Sequence, residues 1–336
     1  VRGHQITFYE PDAFERQQHR DLADPSWARV VVYAGDDEAA PLRELEHAAR
    51  WADVLVKASG VGVYDTLLER AILDVARPGQ HVIFWDVDAP ATLGRVRTTP
   101  QDPFRRLIPR YDAIFTYGGG DPVVNAYLAF GARQCVPVYN ALDPDTHHSV
   151  PPSDCYAADL TLLANRLPDR EARVHEFFFE PARRLPKRRF LLGGSGWQGE
   201  GLPPNVRALG HVPTGEHNEL NCSALAVLNI ARDSMAAVGF SPATRVFEAA
   251  GAGACLITDA WEGIELFLEP EREVLVARDG ASVAEQLERL SPERAREVGR
   301  AAQQRILARH TYKRRALQVE ELLCSGSVSA NLEVSA

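Results

Sequence analysis

The sequence predicts an α/β protein built from two doubly wound, Rossmann-like domains. Three observations support this fold class. Short hydrophobic segments of strand type alternate with amphipathic helical segments along most of the chain. The alternation occurs twice, once on each side of the proline-rich stretch 139–154. With 336 residues, the chain is long enough for each domain to bury a core of its own.

The first half, residues 1–150, is predicted to begin with a strand. Strands are predicted at 5–10, 30–33, 54–57, 81–85, 112–116 and 134–138, and helices at 42–52, at 65–76 and from the glycine cluster 118–120 to residue 130. The chain starts at Val1 without a methionine, and Arg2-Gly3-His4 is typical of the end of a helix. We therefore expect a first strand and helix of the natural protein to precede Val1.

The polar stretch 139–154 (YNALDPDTHHSVPPSD) is predicted to link the two domains. In the second domain, 151–310, strands are predicted at 159–163, 189–192, 206–209, 226–229, 254–258 and 274–277. Helices are predicted at 170–185, 216–221, 282–290 and 292–310. A last helix within 311–324 and a small, polar tail, 325–336, complete the chain.

Composition excludes several classes of function. The net charge of −9 argues against a general nucleic-acid or anionic-membrane surface, although it allows a local basic pocket. No apolar run reaches the roughly 20 residues that span a bilayer, and no signal peptide is apparent. The five cysteines are scattered without CxxC spacing, which favours a reducing cytoplasm over a disulfide framework or a zinc site.

The stretch 239–261 (GFSPATRVFEAAGAGACLITDAW) carries the clearest chemical signal. Ser241 and the proline after it predict the start of a helix, glycines end that helix, and a buried strand leads to Asp259. Arg245 and Glu248 lie one turn apart on one helix face, near a helix N-terminus that attracts phosphate. This pattern suits a sugar nucleotide, but a plain helix start with a structural Arg–Glu pair has the same spacing.

Ligands of parallel α/β sheets bind at the carboxyl ends of the strands. In the first half the corresponding loops are 59–62, 86–90 and 118–121, and in the second half a glycine loop, 193–197, follows a predicted strand. The cluster 118–120 lacks the GxGxxG spacing, which disfavours a nicotinamide enzyme.

Several strings resemble the CgeB-type (spore maturation protein-like) glycosyltransferases, which are related to the retaining glycosyltransferase family 4. The resemblance is strongest over about 150–323, in LLANRLPDR, LNIARDSMAAVGFSPATRVFEAAGAGACLITDAWEGIELF, EPEREVLVA and HTYKRRA, and extends to RGHQITFYEPD and FWDVDAPATL in the first half. It implies a GT-B architecture, with two domains facing a cleft, a donor-binding C-terminal half, an acceptor-binding N-terminal half, and a last helix that crosses back to the first domain.

The resemblance also implies a set of donor-binding residues. These are Gly193, Gly194, Ser195, Arg232, Ser241, Thr244, Arg245 and Glu248. Glu248 matches the glutamate that holds the donor ribose, and Arg245 matches a diphosphate contact. Arg166 and Arg170 are weaker phosphate candidates. Many family 4 enzymes carry a second glutamate where this chain has Phe240, so sugar recognition and stereochemistry need not follow that family.

Asp86-Val87-Asp88 has the DxD pattern, for which three interpretations stay open. The pattern can chelate a metal through donor phosphates, or Asp88 can cap the helix that follows it. Alternatively, Asp86 or Asp88 contacts the acceptor as a ligand or general base. We name Asp86, Asp88 and Arg245 as the candidate catalytic residues and expect no metal.

The remaining prominent side chains favour structural interpretations. His147 and His148 are predicted to be a solvated loop pair rather than a catalytic base. Trp197 and Trp261 flank donor-side loops, where each can line the sugar pocket or simply pack.

The predicted function is therefore transfer of a hexose-type sugar from an NDP-sugar, with UDP expected as the nucleotide, to an unknown acceptor. No cofactor is expected. Two other interpretations stay open. One is a GT-B epimerase that converts its own sugar nucleotide, and the other is a non-catalytic maturation or scaffold protein with a vestigial nucleotide pocket.

Overall fold

The chain divides into two compact units, Val1–Val138 and Tyr139–Ala336. The computed structural model describes residues 2–18, 20, 23–60, 62–197 and 201–332, with side chains up to 324. Val61 of the predicted loop 59–62 lies outside these residues. The expected strand and helix before Val1 lie outside them as well.

The first unit contains two parallel sheets with helices between their strands. Its strands are β1 (Ile6–Asp12), β2 (Ala28–Ala34), β3 (Val54–Ala58), β4 (His81–Asp86), β5 (Ala113–Thr116) and β6 (Cys135–Pro137). Its helices are α1 (Ala39–Ala49), α2 (Asp65–Val75), α3 (Ala89–Thr98), α4 (Phe104–Leu107) and α5 (Gly120–Ala129). We expected one sheet, but β1 pairs with β2 in one group and β3-β4-β5-β6 form another.

The second unit contains one six-stranded parallel sheet. Its strands are β7 (Ala158–Leu163), β8 (Phe190–Gly193), β9 (Val206–Gly210), β10 (Ala224–Asn229), β11 (Leu256–Asp259) and β12 (Leu275–Ala277). Its helices are α6 (Pro168–Val174), α7 (Glu180–Arg184), α8 (His217–Ser223), α9 (Asp233–Val238), α10 (Thr244–Gly251), α11 (Gly280–Arg289), α12 (Pro292–Arg309) and α13 (Tyr312–Leu332), with a π-helical turn, His175–Phe179, joining α6 to α7.

The strand order of this sheet is β12-β11-β10-β7-β8-β9. The chain moves outward in one direction from β7 to β9 and in the other from β10 to β12. The order therefore reverses between β7 and β10, which makes the carboxyl ends of these two strands the topological switch point.

Burial explains why these segments fold as predicted. In β10, Ala226, Val227 and Leu228 are consecutive and all buried, as a parallel strand covered on both faces requires. On α10, the apolar face includes Val246 and Phe247, both without exposed surface. The predicted alternation of strands and helices is thus confirmed in both units.

The stretch 139–154 is not a free linker between the domains, as we had expected. The fully buried Leu142 accepts a backbone hydrogen bond from Tyr312 (3.0 Å) and donates one to His310 (2.8 Å). Ser149 donates its hydroxyl hydrogen bond to the Ala252 carbonyl (2.8 Å). Because these contacts fasten the stretch to the second unit, the division falls after Val138 rather than near residue 150.

Two helix ends also differ from the prediction. Helix α10 begins at Thr244, and the Ser241 hydroxyl bonds the Gly239 carbonyl (2.9 Å) instead of starting the helix. The helical backbone of α13 continues to Leu332, past the predicted end at 324. Residues 325–332 include no proline, the residue that breaks a helix most strongly. No helix within the described residues combines the length and apolar character needed to cross a membrane.

Candidate functional site

The loops at the switch point of the second unit bring the candidate residues together. β7 ends at Leu163 and β10 at Asn229, and the two strands are hydrogen-bonded neighbours. The loops that follow them carry Arg166 and Arg232. The flanking strand β8 delivers the glycine loop 193–196. Of the predicted donor residues, Gly193, Gly194, Ser195 and Arg232 therefore lie at one edge of one sheet.

The glycine loop is held against the loop after β7. Gly194 has a φ of +116°, and a Cβ there would collide with the Ala164 carbonyl oxygen. The Ser195 amide donates to Asn165 Oδ1 (3.0 Å), while the Ser195 carbonyl accepts from the Arg166 amide (2.9 Å). Close packing of the two loops thus explains why residue 194 is a glycine. A contact between Gly193–Ser195 and the nucleotide stays a prediction.

Arg245 on α10 reaches back to the carboxyl end of β7. Its Nη2 donates to the Leu163 carbonyl (3.3 Å), and its Nη1 lies 3.1 Å from Glu248 Oε2. Its Nε and Nη1 are buried and make no hydrogen bond to the residues that the structure describes, because the contact of Nη1 with Glu248 is an ion pair without hydrogen-bond geometry. Burial lowers the pKa of Arg245, and Glu248 opposes that shift. The guanidinium is therefore a buried cation with donors left over, and guanidinium groups bind phosphate and carboxylate through paired donors.

Glu248 lies between Arg245 and a pair of histidines. Its Oε1 is 3.7 Å from His147 Nε2. The rings of His147 and His217 stack with centroids 5.9 Å apart and planes 16° from parallel. The prediction that both linker histidines are solvated is wrong for His147, which is 8% exposed, and right for the exposed His148. Packing of the 139–154 stretch on the second unit buries His147.

Burial lowers the pKa of both His147 and His217, which favours neutral imidazoles. His217 Nε2 lies 3.1 Å from the Val212 carbonyl oxygen. Sequence reasoning missed His217 altogether, because 70 positions separate it from His147. Only the three-dimensional packing of α8 against the 139–154 stretch brings the two rings together.

Two further arginines lie near Arg245. Arg232 Nε is 2.5 Å from Asp169 Oδ2, and both side chains are about one third exposed. Arg170 is half-buried, and its Nε has no hydrogen-bond partner among the described residues. Burial is the main cause that lowers the pKa of Arg170, and the charges of Arg232 and Arg245 lower it further. Three arginines from three elements thus lie at the switch point, and two of them, Arg232 and Arg245, are paired with carboxylates. The weaker candidate Arg166 is exposed and pairs with Glu171.

Asp259 at the end of β11 supports the loop after β10. Its fully buried carboxylate accepts hydrogen bonds from the Ala231 amide (3.1 Å to each oxygen) and from Arg173 Nη2 (2.6 Å). Burial raises the pKa of Asp259, and the Arg173 guanidinium opposes that shift. Asp259 therefore positions the backbone next to Arg232.

One residue of the segment before α10 has a left-handed backbone conformation. Phe240 has a φ of 49°, and its amide donates to the Glu262 carbonyl (2.6 Å). Its ring packs so closely on Gly263 that a Cβ at Gly263 would collide with it. This phenylalanine therefore fastens the two loops together. Thr244 is exposed at the first turn of α10, and Ser241 is half-buried.

Both flanking tryptophans are packing residues. Trp197 is buried and donates from Nε1 to the Ala164 carbonyl (2.6 Å). Trp261 is buried against Phe267, with ring centroids 6.0 Å apart.

Asp86 belongs to the first unit and is fully buried at the end of β4. Its Oδ1 accepts from the Ser59 hydroxyl (2.6 Å), the Thr92 hydroxyl (3.0 Å) and the Asp88 amide (3.1 Å), and its Oδ2 accepts from the Tyr127 hydroxyl (2.5 Å). Burial raises the pKa of Asp86 although these hydrogen bonds oppose the shift. Four donors occupy both oxygens, which favours a structural role over metal chelation, so its catalytic assignment stays a prediction.

Asp88 is half-buried at the N-terminus of α3. Its side chain makes no capping hydrogen bond to the first turn of that helix. The interpretation of Asp88 as a side-chain cap is therefore wrong, and its acceptor-side role stays a prediction.

Comparisons with known proteins find a glycosyltransferase-like segment and similar folds. A family model described as "Glycosyl transferase-like" matches residues 170–321, which lie wholly in the second unit. A comparison with curated protein sequences finds no significant match.

Solved structures match nearly the whole chain at low identity. HepE from Anabaena, in complex with UDP and glucose, is 14% identical, with 96% of this chain and 99% of HepE covered and a TM-score of 0.70. Sucrose-phosphate synthase from Thermosynechococcus elongatus is 13% identical, with 97% and 90% covered and a TM-score of 0.66. BGT from phage T4, in complex with UDP-glucose, is 11% identical, with 96% and 99% covered and a TM-score of 0.57. The chain therefore has the α/β fold of the GT-B glycosyltransferases.

Proposed function

We propose that this protein is a glycosyltransferase that moves a hexose-type sugar from UDP-sugar to an acceptor. The fold and the glycosyltransferase-like match over 170–321 support the reaction class. The nucleotide is inferred from structural neighbours whose complexes contain UDP or UDP-glucose. The relationship to the CgeB-type branch and to family 4 is part of the same proposal.

The observation that carries the proposal is the unfilled hydrogen-bonding capacity of Arg245. Two buried nitrogen donors, Nε and Nη1, lack acceptors among the described residues, and the group lies at the switch point. Glu248 pairs with the charge of Arg245 at 3.1 Å but leaves these two nitrogens without hydrogen bonds, and buried donors without acceptors are costly. The oxygens of a diphosphate would supply such acceptors. Arg170 and Arg232 add positive charge, and the amides of Thr244 and its neighbours at the α10 N-terminus add donors.

Glu248 is the proposed ribose ligand. Its carboxylate lies one helical turn from Arg245, at 3.1 Å from the guanidinium, and is 17% exposed. Ribose hydroxyls are donors that an ionised carboxylate accepts well. The neighbouring Arg245 and Glu248 thus match the adjoining diphosphate and ribose of one nucleotide. Gly193, Gly194 and Ser195 are proposed to approach the nucleotide from β8, and Ser241 from the segment before α10.

Catalysis in this proposal depends on charge stabilisation of the departing UDP by Arg245, with help from Arg232 and the α10 N-terminus. Removal of one such donor typically slows an enzyme by about 10²- to 10³-fold. The reaction needs no metal, because arginine and backbone amides supply the positive charge. The first unit is proposed to bind the acceptor, with Asp86 and Asp88 as its candidate acidic groups.

Turnover of UDP-glucose and other UDP-sugars tests the proposal. We expect UDP release that depends on an added acceptor and persists in EDTA, and we expect it to fall about 100-fold or more in Arg245→Ala. Arg296→Ala, which removes an exposed arginine from an i,i+3 pair with Glu293, is the matched control. Donor conversion without any acceptor would indicate the epimerase instead, and binding without turnover in any acceptor mixture would indicate the scaffold protein.

A further inference from the structure

A cluster of two histidines and a glutamate lies beside Arg245. His147, His217 and Glu248 each offer one ligand atom, and these atoms all lie within 4.8 Å of one another. The three residues come from the 139–154 stretch, the first position of α8 and the last half of α10. His147 is buried, and His217 and Glu248 are half-buried. Three separate segments thus converge on one point.

His217 presents a free lone pair, and His147 faces Glu248 Oε1 through its Nε2 at 3.7 Å. His217 Nε2 lies 3.1 Å from the Val212 carbonyl, so Nε2 carries the proton and Nδ1 the lone pair. This Nδ1 is buried, and no hydrogen-bond partner for it exists among the described residues. A metal-bound histidine characteristically donates its other ring N–H to a carbonyl or carboxylate in this way. His147 Nδ1 is likewise buried and lacks a partner within the described part of the chain.

We propose that His147, His217 and Glu248 form a Zn²⁺ site, and that Zn²⁺ there excludes the nucleotide. Two imidazoles and one carboxylate are a ligand set of zinc sites that keep a fourth position open. Zinc ligands at about 2.0–2.2 Å from the ion lie roughly 3.4 Å apart. The present separations of up to 4.8 Å therefore need only a modest approach of the side chains.

Arg245 limits the affinity of this site. Its Nη1 is 3.1 Å from Glu248 Oε2, whereas Oε1 is the oxygen that faces His147 at 3.7 Å. The carboxylate can thus bridge the arginine and the metal. Repulsion between the guanidinium and the cation weakens binding, so we expect micromolar affinity rather than the tight binding of a structural zinc site.

The exclusion of nucleotide rests on the proposed function. Glu248 holds the donor ribose in that proposal. Because Arg245 occupies Oε2, the ribose and the zinc ion compete for Oε1. Zinc is therefore an inhibitor here and not a catalytic cofactor.

Zinc titration of tag-free protein, followed by calorimetry, tests the site without any nucleotide. We expect one Zn²⁺ to bind per chain at this site, at least 10-fold more weakly in His147→Gln and in His217→Gln. Cobalt(II) substitution should give visible absorption bands of a low-coordinate site, and the same variants should lose them. His148→Gln is the matched control, because His148 is exposed next to His147. Circular dichroism checks that each variant is folded.

Unchanged zinc affinity and cobalt spectra in a folded double variant, His147→Gln with His217→Gln, would overturn the site. A second titration measures UDP affinity with Zn²⁺ present, and we expect it to fall in proportion to zinc occupancy while Mg²⁺ has no effect. Unchanged UDP affinity at saturating Zn²⁺ would overturn the exclusion. If wild type binds no UDP at all, the proposed function fails, while the zinc titration still decides the site.

Discussion

Arg245 combines two properties that rarely coexist in a purely structural arginine. It is 85% covered by protein, yet two of its nitrogen donors have no acceptor within the described residues. Its ion pair with Glu248, at 3.1 Å, offsets part of the cost of burying the charge. The remaining donors are pre-positioned for an anion, because the Leu163 carbonyl fixes the plane of the guanidinium at Nη2.

Arg245→Lys should weaken UDP binding about 10- to 100-fold, because lysine keeps the charge but loses the planar pair of donors. Isothermal calorimetry measures the change. Arg296→Lys, at an exposed i,i+3 pair, should leave the affinity unchanged. Equal UDP affinity for Arg245→Lys and wild type would mean that the guanidinium does not contact the nucleotide.

The sequence predicted the Arg245–Glu248 contact because residues three apart on a helix share a face. It did not predict the histidines around Glu248. His217 is remote from Glu248 along the chain, and His147 lies in a stretch whose prolines and polar residues resemble a linker. Leu142, which fastens that stretch to the second unit, is a single apolar residue without any periodic pattern.

At the scale of elements, the loops after β7 and β8 must approach closely for the switch point to form. Gly194 permits this approach, since a Cβ there meets the Ala164 backbone, which cannot move aside as a flexible side chain can. The glycine pattern in the sequence therefore marked a loop in which the structure requires a glycine. Its explanation in the structure is loop packing.

Gly194→Ala should lower the free energy of unfolding by about 1–3 kcal/mol more than Gly201→Ala does. Both glycines have positive φ, +116° and +102°, but a Cβ at Gly201 meets no atom of the described residues within 4 Å. Urea unfolding of the two variants separates the steric collision from the cost of positive φ. Equal losses would show that the loops relax at little cost.

The junction between α12 and α13 contains a buried titratable group. His310 packs on Phe267 at 5.4 Å between ring centroids, and its Nδ1 lies 3.0 Å from Arg315 Nη2. Burial and the surrounding arginines lower the pKa of His310 to about 4. The folded chain thus keeps this imidazole neutral where an unfolded chain protonates it.

The stability of the protein should therefore depend on pH through His310. Between pH 6.5 and about 4 the unfolded state binds a proton that the folded state does not, so stability falls as the pH is lowered. The loss reaches about 3 kcal/mol below this window. Unfolding experiments at several pH values measure this dependence of the free energy of unfolding on pH. His310→Gln should remove the contribution of His310, whereas a substitution at an exposed histidine, His148→Gln, should leave that contribution in place. If the free energy of unfolding of His310→Gln still falls with pH as in wild type, other titratable groups cause the pH dependence.

At the scale of the whole molecule, the two units differ in how well their architecture follows from the sequence. All six strands of the second unit join one sheet whose order contains the switch point. In the first unit the strands were predicted near their observed positions, but they pair in two groups. Strand segments are readable from local hydrophobic patterns, whereas pairing depends on contacts between distant segments.

The candidate site follows the same division. The predicted donor residues lie in the second unit, at the strand ends where a doubly wound sheet binds ligands. The predicted acidic residues lie in the first unit. There, four hydrogen-bond donors occupy both carboxylate oxygens of Asp86. A DxD string cannot reveal whether its carboxylates face a ligand or the core.

The central claim is that the second unit binds a uridine nucleotide through Arg245 and Glu248. Calorimetric titration of UDP, GDP and dTDP into wild type and Glu248→Ala tests it most directly. We expect one UDP to bind per chain, and we expect Glu248→Ala to weaken this binding at least 10-fold through loss of charge-assisted hydrogen bonds to the ribose. Failure of all three nucleotides to bind folded wild-type protein at millimolar concentration would contradict the claim.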